Sequence, residues 1–446
     1  MNDITRSLVR YVLDSKSEDI PASVQNDAKR SLINFLGCSI GGAQHETVEK
    51  LLAATKPFSG PEQATVLGHA DRLDILSAAL VNGTSSAVLD FDATQSKKTN
   101  IHPSGPTAPV CLALAELTPI SGNDFLHAFI LGVEIECRIA NTIFGSANPG
   151  WHVTSVCGGF GAAAAAGRIL GLDEQQLVWA FGIAANQAGG IRENYGTMVK
   201  SFAPGTAARN GLSAALMAQQ GFVSDEHALE GSKGFAVAMT GHDDLTALTE
   251  NLGTEFEISY NTYKAFACGI VTHATVDGCI QLRNEHNLSQ EQIVRVSLKV
   301  SHNTLLLTGK EKPSTGLEGK FSVYHTAAIA LIDGTAGEAQ FTDKRVQNPD
   351  VIALRNCVHA EAVDGIGKYE AFIAIDLDDG TTLEKHIIHA LGSLDNPMGD
   401  DEVAAKYREL VSGILPDEQC EALIDLCWSV DTLDDAGTIA RTTAKK

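Results

Sequence analysis

Helical segments rich in alanine, leucine, isoleucine and glycine constrain the fold of this chain more than any other feature of its sequence. One of them contains the run GFGAAAAAGRILGL at residues 159–172. Small side chains let the backbones of neighbouring helices approach closely, so these segments favour a tightly packed helical core. Such segments lie at 107–118, 122–145, 155–170, 174–188 and 206–219. We therefore predict helices as the dominant structure up to about residue 265.

Strand patterns replace helix patterns after about residue 268. The segment 369–390 reads as two strands joined at Asp379-Gly380, a pair that favours a hairpin turn. Helix periodicity returns from about residue 400. A further strand is predicted by four apolar residues that alternate with polar ones: Val294, Val296, Leu298 and Val300.

The length of the chain predicts two domains, because 446 residues exceed the usual size of one hydrophobic core. We predict a mainly α fold with a large helical domain over 1–267, completed by 397–446. A smaller α/β domain is predicted over 268–396.

Composition excludes several classes of partner. The chain has 33 basic and 55 acidic residues and a formal charge of −22, which argues against nucleic acid and anionic lipid. Its nine cysteines are scattered without a Cys-x-x-Cys pair, which favours reduced core residues. We find no secretory signal pattern and no segment that we expect to span a membrane. A soluble cytoplasmic protein is the expectation.

The segment 89–105, LDFDATQSKKTNIHPSG, concentrates groups that can carry chemistry. Asp90, Asp92 and His102 offer proton acceptors, and Lys97 and Lys98 offer anion-binding groups. A charged surface loop that ends at a helix cap explains the same residues equally well. The two carboxylates and the histidine also leave a divalent metal site open, although no second ligand motif supports one.

Further ionisable residues stand beside predicted turns or helix ends. His152 lies in PGWHVT, Lys200 precedes Pro204, Lys264 follows Tyr263, and Tyr324 ends KFSVY. Each of them alone is more typical of a surface or capping group. Their combination favours a shared site.

Three short motifs favour structural roles. Residues 37–41 match G-x-S-x-G, but a helical pattern precedes them where a nucleophile elbow needs a strand. Residues 159–161 lack the βαβ context of a dinucleotide loop. His386 and His389 fall in a predicted strand that would point them to opposite faces, which argues against a metal ion bound by both.

In order, these segments resemble the MmgE/PrpD family over nearly the whole chain. The matching motifs are DFD-x-T and HPSG between Asp90 and Gly105, the Gly-Trp-His turn at His152, the glycine-rich stretch ending at Lys200, Tyr-Lys at Lys264, and Lys-Phe-Ser-x-x-Tyr at Tyr324. The resemblance implies an all-helical domain built from both chain ends, a smaller α/β lid and a homodimer. It also implies a cleft that works without metal or organic cofactor.

The family activities implied by this resemblance all begin next to a carboxylate of a small polycarboxylate. Ala93 stands where the family's dehydratases and decarboxylases commonly carry an acid, and residues 95–100 differ from their usual linker. We therefore expect a cofactor-independent epimerase acting on iminodisuccinate. The alternatives are a lyase of the same family, either a 2-methylcitrate or citrate dehydratase or a cis-aconitate decarboxylase, and a non-catalytic helical interaction protein.

The resemblance also implies roles for individual residues. We expect Lys200 and either His102 or His152 to carry protons, with Tyr324 as an alternative donor. Asp90 is expected to orient His102. Lys264 and Thr94 are expected to bind substrate. Arg192, Lys97 and Lys98 lie outside the matching motifs, and we expect them to bind substrate because an anionic substrate needs further positive charge.

Overall fold

The computed structural model describes residues 3–145 and 148–445. Contacts divide them into two compact units. The first unit comprises the residues up to Val88, Asp92–Asn261 and those from Gly399 onward. The second comprises Leu89–Phe91 and Thr262–Met398.

The first unit is built from helices. Before residue 261 its α-helices are α1 (Ile4–Asp14), α2 (Ala22–Gly42), α3 (Glu46–Thr55), α4 (Ile75–Ser85), α5 (Ser104–Leu117), α6 (Gly122–Ile143), α7 (Val153–Leu170), α8 (Glu174–Gln187), α9 (Met198–Gln219) and α10 (Phe235–Thr240). The strands of this part have two residues each: β1 (Ala64–Thr65), β2 (Arg72–Leu73), β3 (Thr94–Gln95) and β4 (Asn261–Thr262), the last of which crosses the unit boundary. The predicted dominance of helices up to residue 265 is confirmed.

Helix α7 lies at the centre of this unit, packed against α6 and α9. A Cβ atom on Gly211 would lie 2.4 Å from the carbonyl oxygen of Gly159, so α7 and α9 approach too closely for a larger residue. This confirms the role predicted for the small residues. Helix α9 begins at Met198, earlier than the predicted start at 206, and includes Pro204.

Helices and one mixed sheet form the second unit. Its helices are α11 (His273–His286), α12 (His302–Thr308), α13 (Gly316–Lys320), α14 (Val323–Asp333), α15 (Asp343–Val346) and α16 (Pro349–Arg355). Its strands are β5 (Ile293–Val300), β6 (Val358–Ala362), β7 (Ala371–Leu377) and β8 (Thr382–Ile387). They pair in the order β6-β5-β7-β8, with β5 and β6 parallel and the other pairs antiparallel. The predicted hairpin around Gly380 is confirmed.

One residue of the predicted strand pattern lies on the wrong face. Val296, Leu298 and Val300 are buried, whereas Val294 is 57% exposed. The pairing of β5 with β7 shifts register between Ile293 and Arg295, and such a bulge reverses the alternation of side chains.

The chain returns to the first unit through α17 (Asp400–Val411), α18 (Asp417–Trp428) and α19 (Gly437–Thr442). Helix α17 packs along α2. In the last turn of α2, Ser39 of the G-x-S-x-G match is fully buried and follows a helix instead of a strand, which confirms that it is no nucleophile elbow.

Burial and pairing bear on two further sequence expectations. We expected no segment able to span a membrane, but α7 is long and apolar enough; 83% of it is buried, as in the core helix of a soluble protein. His386 and His389 contact separate carboxylates, those of Glu370 and Asp395. The expectation that one strand holds both histidines is wrong, because β8 ends at Ile387. The nine cysteines are free thiols.

Candidate functional site

His102 is held with one ring nitrogen surrounded by oxygen atoms. The carbonyl oxygen of Ala93 lies 3.0 Å from His102 Nδ1, Asp92 Oδ2 lies 3.1 Å from it, and Thr94 Oγ1 lies 3.3 Å from it. The carbonyl and the carboxylate can only accept, so the network assigns the proton to Nδ1. The Nε2 lone pair is therefore the basic position of this ring.

His152 has the opposite arrangement. It caps the first turn of α7, where its Nδ1 accepts a hydrogen bond of 3.2 Å from the backbone N–H of Ser155. The proton of the neutral ring consequently lies on Nε2. Burial lowers the pKa of His152 to about 3, and the nearby charges of Lys200 and His102 act in the same direction. His152 is therefore neutral near pH 7 and can donate an N–H without carrying charge.

A cavity of about 190 Å³ brings His152 and Lys200 together within the first unit. Its other polar lining comes from the side chains of Ser155, Asn194 and Thr206. Helices α7 and α9 both begin at this cavity, because His152 caps the first and Lys200 lies in the first turn of the second. The positive ends of two helix dipoles and one ammonium group favour an anion here.

The wall of this cavity requires a glycine. The backbone N–H of His152 donates to the carbonyl oxygen of Gly190 at 3.0 Å, which brings residue 190 against the start of α7. Gly190 has a φ of +123°, and a Cβ atom there would lie 2.4 Å from Ser155 Oγ. Only glycine fits both the backbone conformation and the space.

Asp90 and Lys264 form a pair within the second unit. The buried Lys264 Nζ donates to the backbone carbonyl of Asp90 at 2.6 Å and lies 3.2 Å from its Oδ2. We expected Asp90 to orient His102, but the carboxylate beside that ring belongs to Asp92. The reason is backbone geometry: Asp90 has a φ of +54°, a left-handed conformation that its sequence position does not reveal.

Tyr324 also lies in the second unit, in the first turn of α14. Burial and the charge of Glu311 raise its pKa above the ordinary value, so the phenol keeps its proton near pH 7.

Sequence reasoning missed Lys320 in the same motif. This buried lysine donates to the Leu89 carbonyl and contacts the Glu338 carboxylate at 2.7 Å, and the only signal for it was its place in KFSVY.

Three cations that we expected to bind substrate, Lys97, Lys98 and Arg192, do not line this cavity. Lys97 pairs with Glu255 and Glu257, at 2.5 and 2.9 Å. Lys98 is exposed, and Arg192 is exposed with its guanidinium 5.7 Å from the Tyr195 ring centroid. The prediction for Lys97 fails because two carboxylates, distant in sequence, already bind its ammonium group.

One group of side chains in the described residues has the spacing of a metal site. Asp3, His227 and Glu230 offer ligand atoms within 4.8 Å of one another, but the first two are exposed. Both Glu230 oxygens already accept hydrogen bonds from Thr5. The alternative ligand set of Asp90, Asp92 and His102 does not form such a group among the described residues.

Comparisons with known proteins agree with the motif order. The family model of the MmgE/PrpD N-terminal domain matches residues 6–248, and that of the MmgE/PrpD C-terminal domain matches residues 266–430. Cis-aconitate decarboxylase of Aspergillus terreus is 29% identical over 97% of this chain and 94% of that protein. The proteins of that name from Mus musculus and Homo sapiens are each 27% identical, over 99% and 98% of this chain and 93% and 94% of their own lengths. The chain belongs to the MmgE/PrpD family.

Proposed function

We propose that this protein is a cofactor-independent lyase that removes carbon dioxide from a small unsaturated tricarboxylate, with cis-aconitate as the first candidate substrate. The names of its relatives favour this activity over the epimerisation expected from the local sequence departures. The observation that carries the proposal is the complementary protonation of His102 and His152, with His152 in one cavity with Lys200 and near enough to both His102 and Lys200 for their charges to lower its pKa.

Decarboxylation requires a group that accepts charge and a group that supplies a proton. One carbon–carbon bond breaks, carbon dioxide leaves, and the electron pair of that bond stays on the remaining substrate. Delocalised onto a neighbouring carboxylate, this pair meets the neutral N–H of His152 and the ammonium of Lys200. One proton then forms the new carbon–hydrogen bond, and His102 is its proposed donor.

Asp92 makes His102 suitable for this task. The carboxylate beside Nδ1–H fixes the orientation of the ring, so Nε2 can pass a proton to the substrate and receive another from solvent without a rotation of the ring. Thr94 adds a third oxygen at the same nitrogen.

The charge distribution supports an anionic substrate despite the net charge of −22. Lys200 and the beginnings of α7 and α9 supply local positive potential at the cavity. The expected roles of Lys264 as a ligand for a substrate carboxylate and of Tyr324 as a proton donor stay predictions. Homodimeric assembly and a cytoplasmic location stay predictions.

Epimerisation of iminodisuccinate is the second candidate. It needs one group that removes a proton from carbon and another that returns it to the opposite face. His102 and Lys200 are two chemically different proton carriers in one unit, which is the feature that favours this reaction. It requires no leaving group.

Proton NMR in deuterated water separates these functions. With cis-aconitate we expect carbon dioxide release and a dicarboxylate product that carries one deuterium at carbon. With iminodisuccinate stereoisomers, inversion with deuterium at the inverted carbon and no reaction of cis-aconitate would establish the epimerase instead. A His102→Gln variant with an unchanged melting temperature is the matched control and should lose roughly 100-fold or more in rate. Inertness toward both substrates and 2-methylcitrate would favour the non-catalytic alternative.

A further inference from the structure

We infer that Lys97 and Glu257 are positioning residues: the ion pair between the partly buried Lys97 and the buried Glu257 holds the turn 95–101 and thereby sets the place of His102. The inference rests on the proposed role of His102 in proton transfer. It replaces the substrate-binding role that the sequence suggested for Lys97.

The turn ends directly at His102. The backbone N–H of Gln95 donates to the Ile101 carbonyl at 2.8 Å, and the N–H of Ile101 donates back to Gln95 at 3.3 Å. His102 follows immediately, and its own N–H donates to Thr154 Oγ1 at 3.0 Å. A shift of this closed turn consequently moves the His102 backbone.

Glu257 binds the side chains of this turn through both of its carboxylate oxygens. It is 3% exposed. Its Oε2 accepts from Gln95 Nε2 at 2.6 Å and from Asn141 Nδ2 at 3.0 Å, and its Oε1 accepts from Lys97 Nζ at 2.9 Å. Asn141 Oδ1 in turn accepts from the backbone N–H of Thr99 at 3.1 Å. Three positions of the turn are therefore fixed to one carboxylate or to its direct neighbour.

Lys97 has its ammonium group fully engaged. Besides Glu257, it contacts Glu255 Oε1 at 2.5 Å and lies 4.5 Å from the centroid of the Tyr260 ring. The Tyr260 hydroxyl donates to the same Glu255 oxygen at 2.7 Å. Burial alone would lower the Lys97 pKa, but the bonds with the two glutamates raise it on balance. The group therefore stays charged and fixed.

Helix α6 contributes the other charged and titratable groups that face Glu257. The Glu257 N–H donates to Glu134 Oε2 at 2.7 Å, and Arg138 contacts the other oxygen of Glu134 at 2.5 Å. Burial and the nearby carboxylates of Glu134 and Glu257 raise the pKa of the Cys137 thiol. Arg138 pairs with Glu134, whose pKa burial raises to about 7, and Lys97 is the cation that contacts Glu257 directly.

Loss of the Lys97 ammonium thus leaves a buried carboxylate with amide donors alone. An uncompensated buried charge is costly, so the carboxylate takes up a proton or draws in water, and either change moves the turn. A displacement of about 1 Å at a proton donor lowers a reaction rate by up to roughly 100-fold.

The test is a double-mutant cycle of Lys97→Met and Glu257→Gln, with Lys50→Met as the matched control. Lys50 forms an exposed ion pair with Glu46 on α3. In each single variant we expect kcat to fall about tenfold or more while KM stays within about twofold. The double variant should regain most of this loss. The introduced amide oxygen still accepts from Gln95 and Asn141, and its NH₂ group no longer faces an ammonium.

A readout without substrate makes this test independent of the proposed function. In histidine-selective ¹⁵N spectra, the His102 signal is assigned by its loss in His102→Gln. We expect Lys97→Met to shift the Nδ1 resonance of His102, the double variant to restore it, and Lys50→Met to leave it unchanged. If the wild type converts none of the test substrates, the proposed function fails, whereas these spectra still decide the positioning role.

Three results would overturn the inference. The first is an unchanged His102 signal in Lys97→Met. The second is a tenfold rise in KM at constant kcat without rescue, which would return Lys97 to substrate binding. The third is a lowered melting temperature with unchanged kcat per folded enzyme, which would make the pair merely structural.

Discussion

Asp92 Oδ2 lies 3.1 Å from His102 Nδ1, and the Ala93 carbonyl oxygen lies 3.0 Å from the same nitrogen. Two acceptors on one side of the ring fix the tautomer and leave Nε2 for proton transfer. The first aspartate of the DFD sequence, Asp90, instead pairs with Lys264. The two carboxylates therefore serve different partners although they are two residues apart.

Asp92→Asn should reduce activity much more than Asp90→Asn. An asparagine at 92 can present its NH₂ group to the histidine, which favours the tautomer with the proton on Nε2. We expect kcat to fall by about 100-fold or more, while the variant still unfolds in a cooperative thermal transition. Asparagine at 90 tolerates the positive φ and keeps an oxygen for Lys264, so a smaller loss is expected. Steady-state kinetics measure the loss of kcat in both variants. A larger loss in Asp90→Asn than in Asp92→Asn would restore Asp90 as the partner of His102.

The two nitrogens of His152 can be tested separately. His152→Asn keeps an oxygen that caps α7 but removes the Nε2–H, so we expect a melting temperature close to that of the wild type and a rate lowered by roughly 100-fold. His152→Ala removes both functions and should also lose about 1 kcal/mol of stability. Thermal unfolding and kcat are measured on the same samples.

The pH dependence of the reaction gives a further check on His152. Its pKa of about 3 means that no change in its charge occurs between pH 5 and 8. The shape of the pH–rate profile in that range should be the same for the wild type and His152→Asn. Loss of one limb of the profile in the variant would show that His152 itself titrates there.

The sequence predicted the parts of the fold that depend on local periodicity. The small-residue helix α7 and the hairpin at Gly380 follow from repeating side-chain patterns and from turn chemistry. The exposed Val294 could not be predicted, because a bulge arises from pairing with a distant strand. The same limit applies to single backbone angles.

For the candidate site, residue types were easier to predict than their partners. His152 and Lys200 were found from their places beside turns, and the structure brings them to one cavity. The pairing of Lys97 with Glu257 connects residues 160 positions apart, which no local pattern signals. Long-range electrostatic partners therefore needed the folded coordinates.

Gly190→Ala should damage both the cavity and the start of α7. The added methyl group would lie 2.4 Å from Ser155 Oγ at a φ of +123°, so the chain must move away from His152. We expect a loss of roughly 1–3 kcal/mol in stability and a lower kcat. Gly189→Ala is the matched control, because its Cβ atom would meet nothing within 4 Å. Equal melting temperatures for the two variants would contradict the close approach.

Glu136→Gln should stabilise the protein increasingly as the pH rises. Glu136 is fully buried in α6, where its Oε1 accepts a hydrogen bond of 2.8 Å from Thr107, and burial raises its pKa well above the ordinary value. In the unfolded chain the carboxyl loses its proton above about pH 4.3, whereas the folded protein retains it. Rising pH therefore favours the unfolded state by about 1.4 kcal/mol per pH unit until the folded carboxyl also ionises. Glutamine has no such proton to lose, so the difference between the melting temperatures of the variant and the wild type should widen from pH 5 to pH 8. Glu318→Gln is the control without a trend: hydrogen bonds from Lys310 and Ser314 lower the pKa of that exposed carboxyl to about 2, so it is ionised in both the folded and the unfolded chain above about pH 5 and its melting-temperature difference should stay constant from pH 5 to pH 8. A difference for Glu136→Gln that stays constant with pH would show that this carboxyl is ionised in the folded protein.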